Sequence, residues 1–585
     1  MKIKEKAKER TKELLLYLQT SEVPFLLLFS VVVGVGSGFG AVIFRWLINS
    51  FKAIFFEKGH NLLQFMGPYY VILIPAIGGL IVGPLIYLFA REAKGHGVPE
   101  VMLAVATLGG RIRPRVAVIK SLASSICIGS GGSVGREGPI VQIGSALGSS
   151  LGQLFKLSEE KVKILVACGA AGGIAATFNA PIAGIFFALE VILGDYALRF
   201  FSAVVLSSVT ATVISRSFLG DHPAFLVPPY QLLSVWEMPL YFIFGFLAAF
   251  AALLFVKTIY KCEDVFDSWK IAEYIKPAFG GLIIGLIGLF YPQIFGVGYD
   301  AIELALYGKI AFWLVAILAF MKIMATSLTI GSGGSGGVFA PSLFIGAMLG
   351  ESYGKLTQLL FPGYAIPSGA GALVGMGSVF AGAAHAPISA ILIMFEMTGN
   401  YKIILPLMIT CIISTVVVRH FAKESIYTLK LRRRGIDIQK IRGLDLMERI
   451  TVSEAMVKNI ITFDEALTVK NVDQMLKTTH RHRGFPVIDS KGNLVGMVTH
   501  KDISEALVSG HADIPLREIM TKDIIVCYPD ENLKTALQKL AIKGIGRVPV
   551  VERSNPLYLI GLITRENIID AYSEALKKGG GTELR

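Results

Sequence analysis

Charge is what this 585-residue sequence has least of. Asp, Glu, Lys and Arg make up 17% of it, whereas soluble proteins carry about 25%. The mean hydropathy is +0.61, and runs such as Phe25–Phe44 and Phe312–Met321 hold no charged residue. A bilayer-spanning helix needs about 20 apolar residues, so these runs exclude a soluble enzyme, a secreted scaffold or a disordered chain. Cysteine is scarce too. Cys127, Cys168, Cys262, Cys411 and Cys527 are scattered without a CxxC pair. They read as small buried hydrophobes, not as a disulfide framework or a thiolate zinc site. With no HExxH, no Walker loop and no catalytic triad, a membrane enzyme has no chemistry to work with. No small-residue cleavage site follows the basic N-terminal stretch, which predicts an interfacial helix over residues 1–20 and a retained first span.

What charge there is sums to +13 and flanks the apolar runs. Lys2, Lys4, Lys6, Lys8 and Arg10 precede the first run, and Lys423, Lys430, Arg432, Arg433 and Arg434 follow the last. The positive-inside rule places both ends in the cytosol, and this arrangement argues against nucleic acid as a partner. Hydropathy changes near residue 421. The expected organisation is a membrane unit over 21–421, a basic linker over 422–449, two soluble modules over 450–508 and 514–576, and a tail over 577–585.

The membrane unit repeats itself. Gly129-Ser-Gly-Gly-Ser133, Gly135-Arg-Glu-Gly-Pro139 and Ile143-Gly-Ser-Ala-Leu-Gly148 return as Gly331-Ser-Gly-Gly-Ser335, Gly337-Val-Phe-Ala-Pro341 and Ile345-Gly-Ala-Met-Leu-Gly350. The two prolines stand 202 residues apart. Asn179-Ala-Pro-Ile182, leading to Glu190, returns as His385-Ala-Pro-Ile388, leading to Glu396. Repeated halves with Gly/Pro-interrupted apolar segments point to a transporter site near the bilayer midplane. A helix that starts inside the membrane offers unpaired N–H groups and the positive end of its dipole, which hold an anion without a buried full charge. Gly95-His-Gly-Val-Pro99 is a third such start. Glu137, a carboxylate in an apolar glycine-rich region, is functional by default. At a helix start it can serve as an anion surrogate, displaced by a mobile anion and released by protonation. The alternative role is a carboxylate that only stabilises the dipole.

The tail repeats as well. Ser453-Glu-Ala-Met-Val-Lys-Asn-Ile-Ile461 resembles Arg517-Glu-Ile-Met-Thr-Lys-Asp-Ile-Ile525, and each copy continues with helix, strand and a closing Gly-x-x-Thr. This alternation predicts two small α/β modules.

These motifs resemble the CLC family of chloride channels and proton/chloride exchangers followed by a pair of CBS modules. The likeness spans residues 20 to 575 and implies an all-α polytopic membrane domain of two inverted repeats with broken helices, plus a cytosolic α/β CBS pair. It implies a homodimer in a lipid bilayer, one pathway per subunit, chloride or another small anion as substrate, and no required cofactor. It makes Glu137 the gate, with Arg136 and Gly138 beside it in GREGP. It also makes the backbone amides of Val338 and Phe339, and the hydroxyl of Tyr427, anion contacts. The alternative for Tyr427 is an interfacial anchor. Where the family's first motif reads GSGIP, this chain reads GHGVP. His96 and Gly97 are the matching anion-site positions. The imidazole can strengthen anion binding, make it pH-sensitive, or point away and leave the backbone to bind. At the proton-transfer glutamate of exchangers this chain has Val191, which resembles the channel branch. Its neighbour Glu190 is turned by about 100° along a helix. With Glu396 it is expected to serve structure near a helix end or subunit contact. Lys322 is expected to snorkel or pair. Thr499, Asp502, Thr564 and Asn567 match the positions where CBS pairs meet an adenine nucleotide, Asn567 weakening the second site. A purely structural pair is the alternative. Passive chloride conduction with CBS-mediated regulation is the expected function. Proton-coupled exchange is the alternative, and a CBS-regulated cation channel is a remote one.

Overall fold

The computed structural model describes residues 22–62, 64–196, 198–225, 227–232, 234–438, 447–448, 450–476 and 484–579. The expected helix over residues 1–20 lies outside them, as do residues 439–446 of the expected linker and 580–585 of the tail. The chain forms two compact units, Met1–Ile438 and Gln439–Arg585.

The first unit is helical, and its two halves match helix for helix. The first half comprises α1 (Glu22–Lys52), α2 (Tyr70–Phe89), α3 (Val98–Thr107), α4 (Arg115–Gly129), α5 (Glu137–Leu154), α6 (Glu159–Phe178), α7 (Pro181–Phe187) and α8 (Leu198–Leu219). The second half comprises α9 (Met238–Ser268), α10 (Lys276–Phe290), α11 (Tyr299–Leu306), α12 (Phe312–Gly331), α13 (Phe339–Leu360), α14 (Ser368–Ala384), α15 (Pro387–Thr398) and α16 (Ile404–Phe421). Seven spans among the described residues are long and apolar enough to cross a membrane. Most of the remaining helices are shorter, whereas α13, at 22 residues, is long but less apolar than those spans.

Glycine lets these helices approach one another closely, the usual solution where both helix and solvent are apolar. A Cβ at Gly144 would stand 2.1 Å from the Gly169 carbonyl oxygen, and one at Gly346 would stand 2.1 Å from that of Gly375, so α5 on α6 and α13 on α14 cross at backbone contact. Helices α2 and α10 meet through a further repeat. Pro75-Ala-Ile-Gly-Gly-Leu-Ile81 recurs as Pro277-Ala-Phe-Gly-Gly-Leu-Ile283. Added Cβ atoms at Gly79 and Gly281 would each lie 2.2 Å from the other helix's proline carbonyl.

The halves also exchange polar contacts. Helices α6 and α14 end in left-handed Asn179 (φ 58°) and His385 (φ 57°), and a proline opens the next helix in each half. Glu190 accepts from the α15 start, through the Ile388 and Ser389 N–H groups at 3.3 and 2.8 Å and the Ser389 hydroxyl at 2.6 Å. Glu396 accepts from the α7 start, through Ile182 and Ala183 at 3.0 and 2.7 Å. Each glutamate caps the other half's helix, which is the structural role expected of the pair. The GSGGS serines cross over too. Ser335 bonds Ser124 at 2.9 Å, and Ser133 bonds Thr326 at 3.4 Å.

The stretch after residue 421 does not begin as a linker. Helix α17 (Thr428–Arg433) packs into the first unit, with Ile426, Tyr427, Leu431 and Ile438 in its core. The Tyr260 hydroxyl donates to the Ile426 carbonyl at 2.6 Å, and the Ile426 N–H donates to that of Ala383 at 2.8 Å. Its arginines pair with Glu424, Asp437, Asp264 and Glu100. Hydropathy read their charge as a boundary and missed the apolar residues alternating with it.

In the second unit, β1 (Phe463–Asp464), α18 (Val469–Leu476), β2 (Gly484–Ile488), β3 (Leu494–Thr499) and α19 (His500–Val508) form one module. The other comprises α20 (Leu533–Ile542), β4 (Arg547–Val551), β5 (Leu559–Thr564) and α21 (Arg565–Gly579). Their cores trade leading segments. Ile450 and Val452 pack with Cys527, Leu533 and Ile563, whereas Leu516 and Met520 pack with Phe463, Phe485 and Val498. Burial pushes the Cys527 thiol up to about 12, so it packs as an apolar side chain.

Candidate functional site

Three loops converge at the centre of the first unit and are joined through their backbones. Gly135 and Gly337 exchange N–H···O bonds at 2.7 and 2.6 Å. The Gly95 N–H donates to the Gly334 carbonyl at 3.0 Å, and the Gly336 N–H donates to that of Gly95 at 3.3 Å. Gly138 must be glycine, because a Cβ there would lie 2.2 Å from the His96 carbonyl oxygen. Gly97, at φ 79°, caps α3 and sits against the Gly138 carbonyl and Gln142. The three starts seen in the sequence therefore form one structure.

Glu137 opens α5 and is 1% exposed. Its side chain leaves its own helix for the other half of the unit. Oε2 accepts from the Ala340 N–H at the α13 start at 3.3 Å, and Oε1 accepts from the Tyr299 hydroxyl at 2.9 Å. A carboxylate thus occupies the place that a helix N-terminus offers to an anion. The Val338 and Phe339 N–H groups of the same turn have no acceptor among the described residues. Phe339 is clamped by Phe178 and Phe380, with ring centroids 5.0 and 4.2 Å away, which fixes the turn. Arg136 does not project freely into this space. Its guanidinium lies over the Tyr299 ring, 5.1 Å from the centroid, and one nitrogen donates to the Thr177 carbonyl at 3.4 Å. Arg136 and Lys322 both act electrostatically on Glu137.

His96 and Tyr427 meet on the α17 side, their ring centroids 5.9 Å apart and both side chains buried. The His96 Nδ1 is sealed from solvent and has no partner among the described residues. The Tyr427 backbone is held by the Ser425 hydroxyl at 3.2 Å.

Tyr299 was not read from the sequence, although a signal existed. Gly296-Val-Gly-Tyr299 stands 201 residues after Gly95-His-Gly-Val98, and all four glycines have positive φ. It is a fourth start, α11, the counterpart of α3. Each of these two starts is held by a buried lysine. Lys120 donates to the Ala93 and Gly95 carbonyls at 2.9 and 2.7 Å. Lys322, 202 residues on, donates to those of Ile294 and Gly296 at 3.0 and 2.9 Å. Lys322 is therefore hydrogen-bonded inside the protein and does not snorkel.

Val191 is buried in a π turn, Ala188–Leu193, that continues α7. In the tail, the predicted nucleotide residues form helix caps. Thr499 and Asp502 make a reciprocal capping box at α19, with Asp502 Oδ2 accepting from the Thr499 N–H and hydroxyl at 2.8 Å each. Asn567 Oδ1 does the same for Thr564 at α21, at 3.1 and 2.7 Å.

Comparisons with known proteins agree with this architecture. The family model described as voltage gated chloride channel matches residues 78–419, and that of the CBS domain matches residues 452–509 and 516–574. A chloride channel protein, ClcB-like, from Ralstonia nicotianae is 35% identical, over 63% of this chain and 87% of the relative. The H(+)/Cl(-) exchange transporter ClcA of Vibrio parahaemolyticus is 32% identical, over 74% of this chain and 94% of the relative. Among solved structures, a slow cyanobacterial Cl-/H+ antiporter superposes with a TM-score of 0.66 at 28% identity, covering 71% of this chain and 99% of that one. With its helix starts joined around the turn that carries Glu137, and a CBS pair in the second unit, the chain belongs to the CLC family of voltage-gated chloride channels and exchangers, and it is an integral membrane protein.

Proposed function

We propose that this chain carries chloride passively through one pathway in each subunit of a homodimer, with Glu137 as the gate. In the closed state the carboxylate holds the α13 start. Chloride competes for the same N–H groups, and protonation removes the charge that lets Glu137 win. The residues turned to the pathway are donors, which favour anions. A cation pathway needs acceptor rings or carbonyls. The passive mode rests on Glu190 and Val191. Both Glu190 oxygens are engaged at the α15 start, and Val191 has nothing to protonate, so a proton leaving Glu137 has no carboxylate to follow along α7. The N- and C-termini are cytosolic by the positive-inside rule. The CBS pair regulates the pathway by binding an adenine nucleotide near Thr499, Asp502, Thr564 and Asn567.

One observation favours proton-coupled exchange instead. The Tyr299 hydroxyl touches the gate carboxylate, which gives a proton a partner that avoids Val191. The two modes separate in liposomes. Under a chloride gradient the reversal potential of the passive protein stays at the chloride equilibrium value when pH is stepped. A shift in fixed ratio to the pH gradient means exchange, and no chloride-dependent potential refutes both.

A further inference from the structure

The apolar span that contains α2 ends at Phe89. Just past it stand Arg91 and Lys94, at the level where the headgroups of a bilayer lie. Helix α2 and the segment joining α9 to α10 meet here at backbone contact, since a Cβ at Gly83 would strike the Tyr274 carbonyl oxygen. Beside that contact is a cavity of about 310 Å³, open to its surroundings and lined by Tyr87, Arg91, Lys94, Glu273, Tyr274 and Gly333 among others. The helices that lead to it keep apolar side chains exposed: Leu80, Leu88 and Phe89 on α2, and Phe279, Leu282 and Leu286 on α10.

The charges of the cavity do not balance. Glu273 is its one carboxylate among the lining residues, and Lys94 pairs with it at 2.8 Å. Glu92, next to Arg91 in sequence, pairs with Arg113. Arg91 is left over, with no ion pair and no side-chain hydrogen bond among the described residues. Its guanidinium lies over the Tyr87 ring, 4.5 Å from the centroid, and Tyr87 packs on Tyr274 with ring centroids 5.8 Å apart. This stack orients the guanidinium and leaves its N–H groups free. A fixed guanidinium presents a fork that matches two oxygens of a phosphate. The tyrosines and the exposed apolar side chains suit the glycerol and acyl chains of a lipid, for which a free phosphate has no counterpart.

We propose that this cavity holds the phosphate of an anionic phospholipid, with Arg91 as its main ligand, Lys94 as the second, and the acyl chains along α2 and α10. The positive-inside rule assigns it to the cytosolic leaflet, where anionic lipids collect. The site reaches the centre of the unit. Gly333 lines the cavity, and Gly95, next to Lys94, donates to the Gly334 carbonyl at 3.0 Å. A headgroup that engages Arg91 and Lys94 therefore braces a joint between the two halves.

The test uses the full-length protein in detergent, titrated with dioleoylphosphatidylglycerol and followed by native mass spectrometry and thermal unfolding. The comparison arms are dioleoylphosphatidylcholine, which has no net charge, and glycerol 3-phosphate, which has no acyl chains. Phosphatidylglycerol should bind roughly tenfold more tightly than phosphatidylcholine and raise the unfolding temperature, and glycerol 3-phosphate should do neither. Arg91→Gln loses a charge-assisted fork and is expected to weaken phosphatidylglycerol binding about tenfold. Glu273→Gln frees Lys94 and should strengthen it about threefold, a gain that a merely structural carboxylate would not give. Arg115→Gln, at an exposed arginine that opens α4, should leave binding unchanged. Equal binding of the two lipids, or unchanged binding in Arg91→Gln, overturns the proposal. So do equal losses in Arg91→Gln and Arg115→Gln, which mean a general attraction to charge. Protection by glycerol 3-phosphate equal to that by phosphatidylglycerol overturns the lipid as ligand. Each of these results stands whichever ion the pathway carries.

Discussion

At the start of α5 the first half of the membrane unit carries Glu137. At the start of α13, 202 residues on, the second half carries Phe339. The surrounding structure is the same: a GSGGS loop, a proline in the first turn, and a following helix crossed at backbone distance by its neighbour. What differs is the side chain placed at the start. The first half contributes a charge and the second a rigid aromatic, and the charge occupies the N-terminus that the aromatic holds in place. The counterpart starts differ in the same way. His96 and Val98 of one answer to Val297 and Tyr299 of the other, and only Tyr299 brings a hydroxyl to the gate. Symmetry builds the chamber, and its local violations make the site.

That comparison can be broken at four places. The largest effect is expected at Glu137. Glu137→Gln cannot carry the charge that competes with chloride, so liposome flux should become independent of pH from about pH 4 to pH 7, around the ordinary glutamate range. Persisting pH dependence would remove Glu137 as the gate. Next are the buried lysines. Lys120→Met and Lys322→Met each strip two carbonyls of a charged donor, and each should cost about 2 kcal/mol in the stability of the detergent-solubilised protein. A cost confined to one of them would show that the halves are not held alike. Tyr299→Phe removes the hydroxyl that donates to Glu137. A hydrogen bond to a carboxylate is worth enough that the gate should open roughly tenfold more readily, read as open probability or flux at neutral pH. The smallest effect belongs to the exchanged caps. Glu190→Gln and Glu396→Gln should each cost about 1 kcal/mol, measured by thermal unfolding. Glu190→Gln should also leave the reversal potential unmoved, and a shift there would return Glu190 to the proton route.

Much of this was legible before any coordinates. The doubled GSGGS and proline motifs revealed the two halves, and a carboxylate next to glycine inside an apolar segment marked Glu137, because burying a charge there is too costly to be incidental. The equivalence of Glu190 and Glu396 pointed to a structural pair, although its reciprocal form was not visible. Tyr299 was missed because Gly296-Val-Gly-Tyr lacks the proline that marks the other starts, and its partner lies 162 residues away in sequence. The α17 stretch was misread because its arginines and lysines outweighed Ile426, Leu431 and Ile438 in a hydropathy average. In the tail, the Gly-x-x-Thr pattern marked the two modules, but not that each completes its core with the other's leading segment.

The sequence by itself determined the membrane environment, the duplication and the residue types at each helix start, since these depend on composition and local spacing. Only the tertiary structure decided which start faces which side chain. A hydrogen bond from Tyr299 to Glu137, a cap from Glu190 to Ser389, or a lysine at 322 holding the Ile294 and Gly296 carbonyls depends on positions distant in the chain meeting at about 3 Å, and no local pattern encodes that distance.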